Sequence, residues 1–440
     1  MIIDINETTF ASIKNPALRS YAERYIGIYR DFIRQVRQMG VEFAETDDSP
    51  QVRKRIAALG KRGAVVRNDG KSVYVNRISS GCVACQTAVG SYTFFISLKC
   101  HRNCFFCFNP NQEEYEHYRE NLRDAAAELD ALRTGRQRVQ HIALTGGEPL
   151  LHREETVQFF QRTRRNFPNV YTRLYTCGDH LDRETLQSFK DAGMNEIRFS
   201  IRIEDTKNAR RHTYDQIALA REYIPNVMVE MPVLPGALEE MKAVLLELDR
   251  LGIFGINLLE LCFPFHNADE YRARAYLIKA RPFRVLYNYW YAGGLPVAGS
   301  ETTCLDLIEF ALEAKLKLGV HYCSLENKHT GQIYQQDARR SNLDLLYFSQ
   351  KDYFLKSAKV FGRDVKDVQA AFHQKGYREY SFSEEHQSLE FHVSKVKMLN
   401  KLDVEVGICT HVLENRNGET CLRELKLDVT TPQSFRLSDV

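Results

Sequence analysis

The alternation of strand-like and helix-like segments between Thr93 and Leu261 constrains the fold of this chain more than any other feature. Six apolar runs, TFFISL, HIALT, VYTRLYT, EIRFSIR, NVMVEMPV and INLLEL, are separated by helix-length stretches such as REETVQFFQRTRRN. Parallel neighbours cannot be joined by a tight turn, so short β-rich runs with long amphipathic crossovers point to a parallel sheet. Six such units predict an α/β fold, a partial (βα)6 barrel of TIM-like type, with ligands at the carboxyl ends of the strands. Residues 92–340 are expected to hold this barrel and an extension, in which SETTCLDLIEFALEA is a helix behind a Ser N-cap and LGVHYC a further strand. Residues 1–91 are expected to form an α+β N-terminal lobe. There YAERYIGIYRDFIRQVRQMG has amphipathic helical spacing, and GAVVRNDGKSVYVNRI places two valine-rich runs around an Asn-Asp-Gly-Lys turn. Residues 341–440 read as a small α+β C-terminal domain with an Asn-Gly hairpin signal in DVEVGICTHVLENRNGETCLRELKLDV, flanked by Cys409 and Cys421. The aromatic stretch FRVLYNYWYAGG breaks the periodicity between the two.

Two loops follow the first two strands. After the first, SLKCHRNCFFCFNP places Cys100, Cys104 and Cys107 within eight residues. Thiolates at these gaps can converge on one metal centre. A [4Fe-4S] cube normally takes four cysteines, so three would leave one iron open to another ligand. Ordinary thiols and a zinc knuckle are the other readings, although structural zinc is usually held by two separated pairs. After the second strand, HIALTGGEPLL ends in Gly146, Gly147, Glu148 and Pro149, a loop in which backbone must approach a ligand closely.

Together the two loops resemble the radical SAM superfamily, whose signature is Cys, three residues, Cys, one residue, an aromatic, then Cys. The aromatic here is Phe106, and the second loop matches the Gly-Gly-Glu-Pro segment. The resemblance covers residues 92 to about 262. It implies that Cys100, Cys104 and Cys107 hold a [4Fe-4S] cluster, that S-adenosylmethionine chelates the open iron, and that its reductive cleavage gives a 5'-deoxyadenosyl radical. It further implies that Gly146, Gly147 and Glu148 hold the methionine end and that Phe106 packs near the adenine. A branched side chain at Gly147 is expected to weaken cofactor binding more than cluster assembly. The third strand ends in Tyr175, Thr176, Cys177 and Gly178, where the family often has Thr-Asn-Gly, so Cys177 is a departure. Alternation along the fourth strand puts Ser200 and Arg202 on one face, where the resemblance assigns them to the ribose and carboxylate. The competing reading pairs Arg202 with Glu204 or Asp205. Glu230 and Glu260, on the fifth and sixth strands, face substrate or form ordinary salt bridges.

Upstream, Cys82 and Cys85 form a Cys-x-x-Cys pair. An auxiliary cluster, which would be a second [4Fe-4S] centre, is one reading; zinc, a redox dithiol and two buried thiols are the others. Further ligands would come from Cys323 and Cys304, both expected beside a loop-and-strand region rather than inside a helix. The 11 cysteines suggest metal ligands and buried thiols rather than disulfides in a protein expected to be cytoplasmic. No run approaches a membrane span, MIIDINETTF lacks the basic start of a secretory signal, and a net charge of +3 gives no support for nucleic acid. The expected partners are a reductant such as flavodoxin or ferredoxin and an unidentified substrate, whether small metabolite, peptide or protein. From another class, the chain could be an iron-sulfur binding or electron-transfer protein without turnover, but such a carrier needs no amino-acid clamp beside its cluster.

Overall fold

A computed structural model describes residues 2–135, 137–285, 294–338, 344–416 and 418–440. The chain divides into two compact units. One comprises Gly40–Pro282 and Tyr291–Gly331; the other comprises Met1–Met39, Phe283–Trp290 and Gln332–Val440.

The first unit is built on one nine-stranded sheet. Its strands in chain order are β1 (Val65–Arg67), β2 (Ser72–Val75), β3 (Ser91–Phe95), β4 (His141–Thr145), β5 (Tyr171–Thr176), β6 (Glu196–Phe199), β7 (Asn226–Val233), β8 (Gly255–Glu260) and β9 (Gly319–Cys323). They lie side by side as β1-β2-β9-β8-β7-β6-β5-β4-β3. The strands β3 to β8 are parallel and in sequential order, as six successive crossover units require, and β9 adds a seventh parallel strand beside β8. No pairing closes β1 onto β3 among the described residues, so the sheet is open rather than a closed barrel. Its apolar middle is dry: Leu144, Leu174, Ile197, Val229 and Ile256 are each 0% exposed. Helices cover the sheet with one stripe each, as Leu238–Leu251 does with Met241, Val244, Leu245 and Leu248.

Two strand expectations are corrected. The first strand stops at Phe95 and the fourth at Phe199, short of the apolar runs Thr93–Leu98 and Glu196–Arg202. The expected N-terminal lobe is also redistributed. The β1–β2 hairpin forms, but β2 pairs antiparallel with β9 from Val75↔Val320 to Ser72↔Cys323, which makes the hairpin an extension of the main sheet. The long helix Pro16–Gln38 belongs to the other unit. It begins where Asn15 accepts hydrogen bonds from the backbone N–H groups of Ala17 (2.9 Å) and Leu18 (3.1 Å), with Pro16 in the first turn.

The second unit carries an antiparallel sheet of β10 (Leu355–Phe361), β11 (Tyr380–Ser383), β12 (Ser388–Phe391), β13 (Val406–Arg416) and β14 (Glu419–Thr430). Its order is β14-β13-β10-β12-β11, with the short strand Ile3–Asp4 outside β14. Leu18, Ala22, Tyr25 and Ile26 of the long helix pack on Cys409, Leu427 and Val429 of this sheet. The expected β13–β14 hairpin forms, although Asn417 of its turn lies outside the described residues, as do residues 286–293 of the aromatic stretch. Cys409 faces Leu427 and Cys421 faces Glu414, so the two thiols that flank the turn do not oppose one another. No described helix is long and apolar enough to cross a membrane.

Asp337, at the end of the helix Leu325–Asp337, is fully buried. Its Oδ1 accepts a hydrogen bond from Leu413 N at 2.9 Å, while Oδ2 has no partner among the described residues. Burial pushes its carboxyl up to about 7. The folded state therefore holds a proton that the unfolded chain releases near its ordinary carboxylate pKa. Below that value Asp337 contributes nothing to pH dependence. Stability should then fall with rising pH by about 1.4 kcal/mol per unit until the folded pKa is passed, and level off above it. Asp337→Asn, which keeps the acceptor for Leu413, should be more stable than wild type at pH 8 and equal to it at pH 4. Urea melts across this range measure the difference; a parallel pH profile for the two proteins would contradict the assignment.

Candidate active site

Beyond β3 the chain runs through Ser97–Lys99 into Cys100, and beyond β4 it turns at Gly146–Glu148. Main-chain hydrogen bonds stitch these loops together: Gly147 N donates to Ser97 O at 3.0 Å and Glu148 N to Lys99 O at 2.8 Å. The glycines follow from this contact. Gly146 has φ of 117°, and a Cβ there would stand 2.5 Å from Ser97 O, while at Gly147 it would stand 1.9 Å from Lys99 O. The close approach expected toward a ligand is thus made first toward the chain's own cysteine loop. Because the clash falls on the residue before Cys100, a side chain at Gly147 bears on the cysteine loop as well as on a bound cofactor.

The cysteine loop is pinned on several sides. Arg102 spans two strand ends, giving Asp179 hydrogen bonds of 2.7 Å from Nε and 2.6 Å from Nη2, and Asp205 one of 2.9 Å from Nη1. His101 Nε2 lies 2.6 Å from Asp179 Oδ2. Burial acts to raise Asp179, but Arg102 and His101 outweigh it and hold the carboxyl near about 2. Asn109 Nδ2 donates to Gly146 O at 2.6 Å, Asn267 Nδ2 to Phe105 O at 3.0 Å, and His266 Nε2 to Cys107 O at 2.8 Å. Sequence reasoning missed these positioning residues, since nothing in their spacing marks them. Within the loop, Cys107 N donates to Cys104 O at 3.0 Å, and Arg102 N points at Cys100 Sγ from 3.4 Å. Burial raises all three thiols, Cys104 to about 11, while the nearby Arg202 charge opposes the rise at Cys104. Three thiols on one pinned loop, a backbone N–H aimed at one sulfur and a guanidinium beside another suit an anionic iron-sulfur cluster.

The other expected cofactor residues divide into two groups. Phe106 and Arg202 border one small pocket with Ile201, Met231 and Leu234. Glu148 is buried and its carboxylate already serves the protein: Oε1 accepts from Thr176 Oγ1 (2.6 Å) and Leu150 N (3.0 Å), and Oε2 from Cys177 N (2.7 Å). It fastens the β4 loop to the end of β5. Ser200 and Arg202 lie beyond the end of β6, so strand alternation does not set their direction. Ser200 is exposed; Arg202 is half-buried, with Nε 3.5 Å from Asp205 Oδ1. The ion-pair reading of Arg202 is met at Asp205, and its charge lies within electrostatic reach of Cys104.

Farther from that loop, the short helix Ser80–Cys85 lies against charged side chains of the sheet. Arg198 of β6 is buried between Glu196 (2.6 Å) and Glu230 (2.5 Å), and its Nη2 donates to Cys82 Sγ at 3.2 Å. Asn257 Nδ2 reaches the same sulfur at 3.1 Å and Glu230 at 2.7 Å, while Asn257 Oδ1 holds His321, which in turn meets Ser72. Burial keeps His321 neutral, at about 3. Burial also raises Cys85 and takes Cys323 to about 12, and Cys323 lies within electrostatic reach of both Cys85 and Cys82. These three thiols border one interior region. Cys304 lies inside the helix Ser300–Glu313, fully buried, contrary to the expectation that it flanks a loop. Glu230 is taken by Arg198 and Asn257, and Glu260 by Lys279 and Leu325 N, which favours the salt-bridge reading of both.

A parallel α/β sheet with a three-cysteine loop clamped to a Gly-Gly-Glu loop at its strand ends defines a metal-dependent class. Residues 94–248 match the family model of the Radical SAM superfamily, so this part of the chain carries a radical SAM domain, the kind that takes a [4Fe-4S] cluster and S-adenosylmethionine. A protein of Methanocaldococcus jannaschii, provisionally named a glycyl-radical enzyme activating enzyme, is 27% identical over 265 residues, which are 56% of this chain and 64% of that relative. The chain thus spans less than two thirds of the relative's length. Among solved structures, SuiB of Streptococcus suis bound to the precursor peptide SuiA aligns with a TM-score of 0.39 and 11% identity, over 68% of this chain and 62% of that one. The methyltransferase TsrM of Kitasatospora setae, with cobalamin and a [4Fe-4S] cluster bound, gives a TM-score of 0.34 and 17% identity over 45% and 42%. At these scores neither carries a conclusion for this chain.

Gly147→Ala tests the stitched loops. The added Cβ meets backbone, so the loop into Cys100 must shift, and iron retained after anaerobic reconstitution should fall together with cofactor affinity. Full iron content with weakened cofactor binding would restore the ligand-only role of this glycine.

Proposed function

We propose that this protein is a radical SAM enzyme that reductively cleaves S-adenosylmethionine and abstracts a hydrogen atom from its substrate. The observation that carries the reading is the pair of hydrogen bonds from Gly147 and Glu148 to Ser97 and Lys99, which join a three-thiol loop to a backbone cradle. In this reading the sheet is the partial (βα)6 barrel of the family. Cys100, Cys104 and Cys107 hold the cluster, and the backbone around Gly146 and Gly147 orients the methionine end, with Glu148 fixing that loop from behind. Arg202 offsets negative charge beside Cys104, Phe106 supplies an apolar wall, and Ser200 offers a hydroxyl at the rim. When bound, the cluster and S-adenosylmethionine supply one-electron cleavage of a sulfonium to a 5'-deoxyadenosyl radical.

The name of the Methanocaldococcus relative supports a protein as substrate; in this reading a reductant such as flavodoxin or ferredoxin supplies the electron in the cytoplasm. Replacing Cys100, Cys104 and Cys107 together by Ala should reduce 5'-deoxyadenosine formation under strong reductant to background. Undiminished formation would overturn the reading. Reconstituted wild type that binds iron yet forms no 5'-deoxyadenosine under any reductant would instead identify a carrier without turnover.

The Cys82–Cys85 pair belongs to the same proposal as ligands of an auxiliary cluster, with Cys323 as the third thiol of that region. Anaerobically reconstituted wild type should then hold about eight irons, and the Cys82→Ala, Cys85→Ala variant about four. Equal iron in both would make the pair structural, with Cys82 serving as an acceptor for Arg198 and Asn257.

A further inference from the structure

The strands β13 and β14 hold a second set of metal-type donors, outside the residues that match the superfamily. Cys409 and His411 are two residues apart on β13 and share a face of the sheet. Regular pairing would put Leu425 opposite His411. Instead the register shifts: Thr410 opposes Lys426, the next pair is His411 with Glu424, and Leu425 is skipped. This bulge turns the Glu424 carboxylate onto the face of Cys409 and His411. One donor atom from each of the three now lies within 4.8 Å of the others. A tetrahedral zinc ion with ordinary bond lengths sets its donors about 3.3–3.8 Å apart, so a small inward movement suffices. The site is interior, with Cys409 0% and His411 3% exposed.

We propose that Cys409, His411 and Glu424 bind a divalent transition-metal ion of the zinc type. The surrounding hydrogen bonds prepare the imidazole. Ser357 Oγ lies 2.5 Å from Glu390 Oε1 and 2.8 Å from His411 Nε2. An ionised carboxylate only accepts, so the Ser357 hydroxyl donates to Glu390 and the Nε2–H donates to Ser357. Nδ1 is left with the lone pair, and burial keeps the ring neutral. Charge balance supports a cation. Glu390 and Glu424 bring two negative charges, against the single ammonium of Lys359, which lies 2.5 Å from Glu424 Oε2 and 3.8 Å from Glu390 Oε2. The neighbouring Lys356 is paired with Asp352. Tyr21 and Tyr25 donate to Glu424 Oε1, which leaves Oε2 as the ligand atom. On binding, the Cys409 S–H bond breaks, a sulfur–metal bond forms and the proton passes to solvent. Lys359 moves onto Glu390, and three positive charges then meet three negative ones.

The test uses the full-length chain with Cys82, Cys85, Cys100, Cys104, Cys107 and Cys323 changed to Ala and Cys177, whose donor atom lies close to those of His101 and Asp179, changed to Ser, which removes the thiols of the other candidate sites. Anaerobic titration with cobalt(II) should give one equivalent bound, with a thiolate-to-cobalt charge-transfer band and four-coordinate d–d bands. Adding Cys409→Ser should abolish the charge-transfer band, and adding Glu424→Gln or His411→Gln should weaken binding at least ten-fold, with circular dichroism reporting the fold of each. A folded parent protein without the charge-transfer band overturns the site, as does a band unchanged by Cys409→Ser. Should Cys409→Ser not fold, unchanged affinity in Glu424→Gln does the same.

Discussion

The contact on which the active region depends is a pair of main-chain hydrogen bonds, Gly147 N to Ser97 O and Glu148 N to Lys99 O. Backbone hydrogen bonds set geometry more tightly than long side chains can, because they spend no rotamer freedom. They make the exits of β3 and β4 one rigid piece, so the cysteine loop inherits its position from the sheet. Arg102 then ties the same loop to the exits of β5 and β6 through Asp179 and Asp205, and Glu148 ties β4 to β5. Four consecutive strand ends are thereby coupled by polar contacts. A cluster in this position would be held by a lattice of hydrogen bonds as well as by its own sulfur ligands.

The sheet behaves differently on its polar interior. Arg198, Glu196, Glu230, Asn257, His321 and Ser72 form a continuous chain of partners from β6 across to β2, and Cys82 enters it as an acceptor. Burying such charges is costly unless every one is paired, and here the pairs are short and complete. The interior is therefore already polar and ordered.

Much of this was legible in the sequence. The six parallel strands could be read because each is a short apolar run bounded by an amphipathic crossover, and β9 because LGVHYC has the same character. The loop cysteines and glycines were legible because few side-chain patterns carry so much chemistry in so few positions. What escaped was set by tertiary pairing. Glu196–Arg202 is uniformly strand-like, yet β6 ends at Phe199, and no local signal marks where its partner strand runs out. Arg102, Asn109 and His266 act on the site through folded proximity alone. Cys304 sits in a helix whose Ser300 does not cap it but instead bonds to Val233 and Leu261, a use the spacing could not reveal. The bulge that aims Glu424 depends on the register of a hairpin, which alternation alone leaves free.

The place of β9 in the sheet has a consequence for biosynthesis. Among the described residues the β1–β2 hairpin reaches the parallel strands only through β9, whose residues leave the ribosome some 250 positions later than those of the hairpin. Until then the edge of β2 that pairs with β9 has no partner, and β8 presents an unpaired edge of its own. Contacts of such sequence separation form late and slowly, and exposed strand edges are where nascent chains associate wrongly. For this protein the vulnerable interval of synthesis is the stretch between the completion of β8 and the arrival of Gly319.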